Sequence, residues 1–180
     1  MRAFFAIPVP APLAEAIAPL QRGLPGARPV AAENLHLTLA FLGDLDAGAL
    51  EAAHEAAAGV RCPRFAVAFD GLGTFGHPLP ATLWIGLQPS APLAALHRTL
   101  RHRLHGAGLM LPRSRFLPHV TIARFRRAMP PAWLAELQDR IAERMRPDLP
   151  PLEVTSFALV SSVLRPEGPI HEPLAHYPLS

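Results

Sequence analysis

Two histidines and two threonines carry the chemical interest of this 180-residue chain. They fall in His36-Leu-Thr38-Leu-Ala40 and His119-Val-Thr121-Ile-Ala123, one pattern repeated 83 positions apart. Residues two apart share a face of a strand, so the spacing predicts His36, Thr38 and Ala40 on one face, with Leu37, Leu39 and Phe41 on the other. The second copy divides alike, His119, Thr121 and Ala123 standing opposite Val120 and Ile122. A strand with one apolar face and one face of His, Thr and a small residue lines a site. Two imidazoles facing each other across a cleft divide proton work, one taking a proton from a nucleophile while the other gives one to a leaving oxygen. A Thr hydroxyl on the same face donates a hydrogen bond to an oxygen on which charge builds up. Displacement at phosphorus needs these services.

The composition narrows the chemistry further. All 17 basic residues are Arg. Without Lys there is no lysyl-nucleotide intermediate, no Schiff base with pyridoxal phosphate and no Walker lysine. The single Cys62 forms no internal disulfide and no multi-thiolate site, which fits a reducing, cytoplasmic compartment. Pro8, Pro10, Pro12 and Glu15 interrupt the apolar start, which reads as a mature first strand rather than a secretory signal. No apolar run approaches the ~20 residues of a membrane span, so no membrane partner is expected. Between Gly71 and Ala135 eight Arg occur with no Asp or Glu, leaving nine Arg against 14 acidic residues elsewhere. Arg forks onto phosphate bidentately, so this one-signed stretch around the second motif points to a phosphate-bearing partner.

The elements that must position the motifs follow in order. Arg2 to Val9 reads as a buried strand, then a helix from Pro12 with Leu13, Ile17 and Leu20 on one face, shortened by Pro19. The first motif strand runs from about Asn34 to Leu42. Asp46 caps a second helix that Gly59 ends. Strands are expected over Phe65–Leu72 and Thr82–Leu87, joined by a loop from Gly73 to Pro80 that could rim a cleft. Ser90 caps a third helix with Leu93, Leu96, Leu100 and Leu104 as its core stripe. Its outer face carries Arg98, Arg101, His102 and His105, and no acidic or thiol side chain stands near enough in sequence to make the two histidines a metal site. A basic loop, 112–115, leads to the second motif strand, Phe116–Phe125. A fourth helix opens at Pro130-Pro131 with Leu134, Leu137 and Ile141 inward, and strands over Leu152–Leu164 and Ile170–Tyr177 close the chain around a turn at 165–168. Each half contains one His-x-Thr strand, which predicts a duplicated layout around a pseudo-two-fold cleft.

Three segments carry a family resemblance: 33–43 (Glu33 to Gly43), Pro118-His-Val-Thr-Ile-Ala-Arg-Phe125 and the opening Arg2-Ala-Phe-Phe-Ala-Ile-Pro8, with Tyr177-Pro-Leu179 at the end. The chain resembles the 2H phosphoesterases, and within them the bacterial 2'-5' RNA ligase or RNA 2',3'-cyclic phosphodiesterase family. The resemblance implies an α+β, LigT-like fold: bilobal, with an antiparallel sheet and helices in each lobe, forming one domain over residues 1–180. It also implies hydrolysis of an RNA or nucleotide 2',3'-cyclic phosphate to a 2'-phosphate; the paired His and Thr need no metal or cofactor for this, and the sequence offers no convincing set of carboxylate ligands to hold a metal. By motif position His36 resembles the proton donor to the departing 3' oxygen and His119 the proton acceptor that activates water. Thr38 and Thr121 match phosphate-binding threonines, and Arg124 matches a basic position common in the family, although strict alternation puts it on the face away from His119. Relatives often carry an aromatic residue where this chain has Val30-Ala-Ala, leaving Phe75 or His77 as candidates for base stacking. An RNA 5'-hydroxyl in place of water would give a minor ATP-independent 2'-5' ligation. The competing readings are a phosphodiesterase for another small cyclic phosphate or an oligoadenylate, a non-catalytic RNA-binding protein, and a metal-dependent hydrolase. A monomer is expected.

Overall fold

The computed structural model describes residues 1–112, 115–125, 130–165 and 168–180. Its strands are β1 (Arg2–Pro8), β2 (Ala27–Pro29), β3 (His36–Asp44), β4 (Phe65–Val67), β5 (Phe69–Phe75), β6 (Thr82–Leu87), β7 (His119–Phe125), β8 (Leu152–Val154), β9 (Ser156–Arg165) and β10 (Gly168–Pro178). The helices are α1 (Ala11–Ile17), α2 (Ala47–Ala58), α3 (Ala91–Gly106) and α4 (Pro131–Glu143).

Both motif strands lie in the middle of one antiparallel sheet of order β10-β9-β1-β3-β7-β6-β5, with β2 added along β7. β3 and β7 meet through one register pair, Leu37 with Val120. The sheet is therefore two half-sheets joined at a narrow seam, and each half is built by the same path. β1-α1-β3-α2 makes the first and β6-α3-β7-α4 the second, the opening strand lying antiparallel to the motif strand in both. β9 and β10, from the end of the chain, return to complete the first half. This is the α+β duplicated arrangement that the repeated motif implied.

Local chemistry explains where the helices start. The Asp46 carboxylate accepts the Ala49 backbone N–H at 2.8 Å, and the Ser90 hydroxyl accepts that of Leu93 at 3.3 Å, so both expected caps satisfy N–H groups left free at a helix start. α1 stops at Ile17, and Pro19 lies in the single tighter turn that follows. Leu93, Leu96, Leu100 and Leu104 of α3 are all 1% exposed or less. They join one core with Leu37 and Leu39 of β3 and Val120 and Ile122 of β7. The helices thus cover one face of the sheet, and the His-Thr face is left on the other.

Several boundaries differ from the expectation. Phe65–Leu72 and Leu152–Leu164 are each divided, because Phe65–Val67 and Leu152–Val154 leave the main sheet and pair with each other. β5 continues through Gly73 and Thr74 to Phe75, shortening the expected loop, since these residues pair with Trp84, Leu83 and Thr82. β2 is too short to show a hydrophobic period. The basic loop at 112–115 and the turn at 165–168 fall partly outside the described residues, as do Arg126 and Arg127.

Candidate active site

β3 and β7 share one irregularity that decides what faces the groove. Phe5 pairs with Ala40 and Ala6 with Thr38, so Leu39 is an extra residue in β3. Leu83 pairs with Ala123 and Trp84 with Thr121, so Ile122 is the extra residue at the matching place in β7. Each bulge turns two successive side chains inward: Leu39 and Ala40 are 3% and 4% exposed, and Ile122 and Ala123 are both 0% exposed. Beyond a bulge every side chain changes face. Ala40 and Ala123 therefore leave the site face, and Phe41 joins it. Strict alternation also misplaces Arg124, which lies on the same face as His119 and Thr121.

His36, Thr38, His119, Thr121 and Arg124 consequently line one groove of about 1000 Å3. The two histidines are held alike. The ring Nδ1 of His36 stands 2.7 Å from the Asn34 carbonyl, and that of His119 stands 2.7 Å from the Leu117 carbonyl. A carbonyl only accepts, so Nδ1 carries the hydrogen in both rings and Nε2 is the nitrogen available for proton transfer. Aromatic rings pack around each imidazole. Phe4 lies 4.9 Å from His36 between ring centres, and Phe75 lies 4.9 Å from His119, edge to face, with Trp84 at 5.9 Å. Burial pushes the His36 pKa down to about 4; the Asn34 carbonyl opposes this, while His171, Arg124 and His119 add to it. His36 is thus neutral at pH 7.

Three groove residues escaped the sequence reading. His171 of β10 places its ring 5.2 Å from His36 and 5.0 Å from Phe4, and its buried Nδ1 has no partner among the described residues. Burial, then Arg124, lowers its pKa. Arg28 of β2 stands directly opposite Arg124, and Arg2 of β1 places its guanidinium 4.8 Å from the Phe41 ring centre. Like charges directly opposite each other in a sheet repel unless an anion lies between them. Among the described residues no Asp or Glu lines the groove. His171 sits far from either motif in sequence, and Arg28, eight positions before His36, lies on a strand too short to show a repeating signal.

The bulge in β7 is held from outside the sheet. The Ile122 carbonyl accepts from the Val30 N–H at 2.9 Å and from Gln21 Nε2 at 2.8 Å. Val30 and Ala31, rather than an aromatic residue, line that wall of the groove. Of the two suggested substitutes, Phe75 packs on His119 and Trp84, and His77 lines neither this groove nor the cavity beside it. Among the described residues no three His, Cys, Asp or Glu side chains gather closely enough to hold a metal ion, and no helix is long and apolar enough to cross a membrane.

The chain is similar in sequence and in fold to known proteins. Residues 9–164 match the 2'-5' RNA ligase superfamily. The chain is 31% identical over 178 residues to the RNA 2',3'-cyclic phosphodiesterase of Archaeoglobus fulgidus, covering 97% of this chain and 98% of that one. It is 35% identical over 160 residues to the protein of the same name from Thermotoga maritima, covering 86% and 80%. Its fold is similar to that of E. coli LigT complexed with 3'-AMP, with a TM-score of 0.79 and 30% identity over 99% of this chain and 98% of the other. A fold duplicated around paired His-x-Thr strands, matched in sequence and in three dimensions along nearly its whole length, means that this chain belongs to the 2'-5' RNA ligase superfamily of 2H phosphoesterases.

Proposed function

We propose that the chain hydrolyses RNA 2',3'-cyclic phosphate ends to 2'-phosphomonoesters, using His36 and His119 for proton transfer and no metal. The observation that carries this reading is the pair of imidazoles, each with Nδ1 fixed on a backbone carbonyl, in a groove that no carboxylate lines among the described residues. The cyclic phosphate lies between the two histidines. His119 Nε2 takes a proton from water as the water oxygen bonds to phosphorus. The bond from phosphorus to the 3' oxygen breaks, and that oxygen takes a proton from His36 Nε2. The product is a 2'-phosphomonoester with a free 3'-hydroxyl, and proton exchange with solvent restores both rings.

His36 must be protonated to serve as the acid, whereas burial by itself favours the neutral ring. The bound phosphate reverses this balance, since a nearby anion favours the imidazolium. Thr38, Thr121 and Arg124 hold the non-bridging oxygens, on which charge grows in the transition state. When an RNA 5'-hydroxyl replaces water, the same groups form a 2'-5' bond without ATP, as the minor reaction.

The test is turnover of a short RNA ending in a 2',3'-cyclic phosphate, with excess chelator and no ATP. The expected result is a 2'-phosphate product, with turnover lowered about a hundredfold or more in both His36→Ala and His119→Ala. A wild type inactive on this RNA but active on a small non-RNA cyclic phosphate would move the assignment to that substrate. Binding without turnover of either would leave a non-catalytic RNA-binding protein.

A further inference from the structure

The two motif strands separate as soon as they have met. Beyond the Leu37/Val120 pair no further residues of β3 and β7 are paired, and a second cavity of about 540 Å3 opens between Thr38–Phe41 and the segment leading into His119. It adjoins the groove, because Thr38, Phe41 and His119 line both. Its other walls have a different character. Arg101 of α3 and Arg115 supply two guanidiniums, and among the described residues no Asp or Glu lines the space. Among the described residues the only ion pair is Arg140 with Glu136, so neither guanidinium is neutralised by a carboxylate. One hydrogen bond from Arg101 to the Pro112 carbonyl, at 2.9 Å, ties the helix to the loop that carries Arg115. Phe75 and Phe116 provide aromatic surface, and His97 lies flat on Phe116 at 3.8 Å and 6°.

Two cations beside two aromatic rings suit a nucleotide, whose phosphate takes Arg forks and whose base takes aromatic faces. An RNA with a cyclic phosphate at its 3' end continues only in the 5' direction. The next phosphodiester and base must therefore lie beside the terminal nucleoside. We propose that this cavity binds the penultimate nucleotide of the RNA, with its phosphodiester on Arg101 and Arg115 and its base against the aromatic wall. The subsite makes an oligonucleotide end, rather than a free cyclic mononucleotide, the preferred substrate. This inference rests on the phosphodiesterase reading above.

The test compares kcat/KM for 2',3'-cyclic AMP with that for a tetranucleotide ending in the same cyclic residue, using wild type and the Arg101→Ala/Arg115→Ala double variant. The wild type is expected to prefer the tetranucleotide. The double variant should lose about thirtyfold on the tetranucleotide, the equivalent of two modest charge-assisted contacts, and stay within twofold on the mononucleotide. Its activity on the tetranucleotide should also depend less steeply on salt. Retained mononucleotide turnover shows that the variant is folded. A wild type with no length preference, or a variant that loses equally on both substrates, overturns the subsite and leaves the phosphodiesterase standing. Inactivity of the wild type on both overturns the phosphodiesterase reading and the subsite with it.

Discussion

Arg124 shows how one extra amino acid in a strand alters a site. The bulge at Ile122 turns it into the groove, opposite Arg28 and within the field of His36. Burial is the larger cause of the low His36 pKa, and Arg124 adds to it. In Arg124→Gln the His36 pKa should therefore rise from about 4 yet stay below 6.5. Over the same change kcat/KM should fall between about tenfold and a hundredfold, as an Arg–phosphate contact is lost. An NMR titration of the His36 ring checks the first effect and steady-state kinetics the second. An unmoved titration would remove Arg124 from the field at His36. His36, Thr38, His119 and Thr121 were legible because each pair lies on the near side of its bulge, where the two-residue period holds. The face of Arg124 was not, since a bulge is set by pairing with a neighbouring strand. His171 was hidden for a related reason, because its approach to His36 is made by a strand 135 positions later.

The elements around His119 depend on one close approach. β5 and β6 pair so that Gly73 lies beneath the Trp84 indole, where a Cβ would stand 2.3 Å from the ring carbons. Trp84 in turn lies 5.2 Å from Phe75, and both rings abut His119. Gly73→Ala must push the indole aside and disturb the wall that orients the imidazole. The expected result is a fall in kcat of about tenfold and a loss of about 1–3 kcal/mol of stability. Gly106→Ala serves as the control, because its added Cβ meets nothing within 4 Å and it should leave turnover unchanged. Unaltered turnover in Gly73→Ala would show that Trp84 does not position His119. The hydrophobic periods and caps of α2 and α3 were readable in the sequence because they are local. The splitting of the strands at β4 and β8 was not, since both segments have ordinary strand composition and only the fold decides which partner each finds.

For the molecule as a whole, the cost of building the groove should appear as acid sensitivity. Burial lowers the pKa of His36 and of His97 to about 4 from an ordinary 6.5, and lowers that of His171 as well. In the unfolded chain these rings take up protons as pH falls through 6.5, whereas the folded protein holds them neutral until far lower. The unfolded state then binds more protons, so stability is full above pH 6.5 and is lost as pH falls towards about 4. For His36 alone the loss amounts to about 3 kcal/mol when complete. His97 adds less, because its exposed side is screened by water. Urea unfolding at pH 7, 5.5 and 4.5 should show this decline in the wild type and a shallower one in His36→Gln, which has no proton to take up. Phosphate bound in the groove should oppose the decline, since the anion favours the charged imidazole that burial disfavours. Equal declines in the wild type and His36→Gln would place the acid sensitivity elsewhere in the fold. A decline that phosphate does not oppose would separate the proton held off by His36 from the anion site through which catalysis is proposed to run.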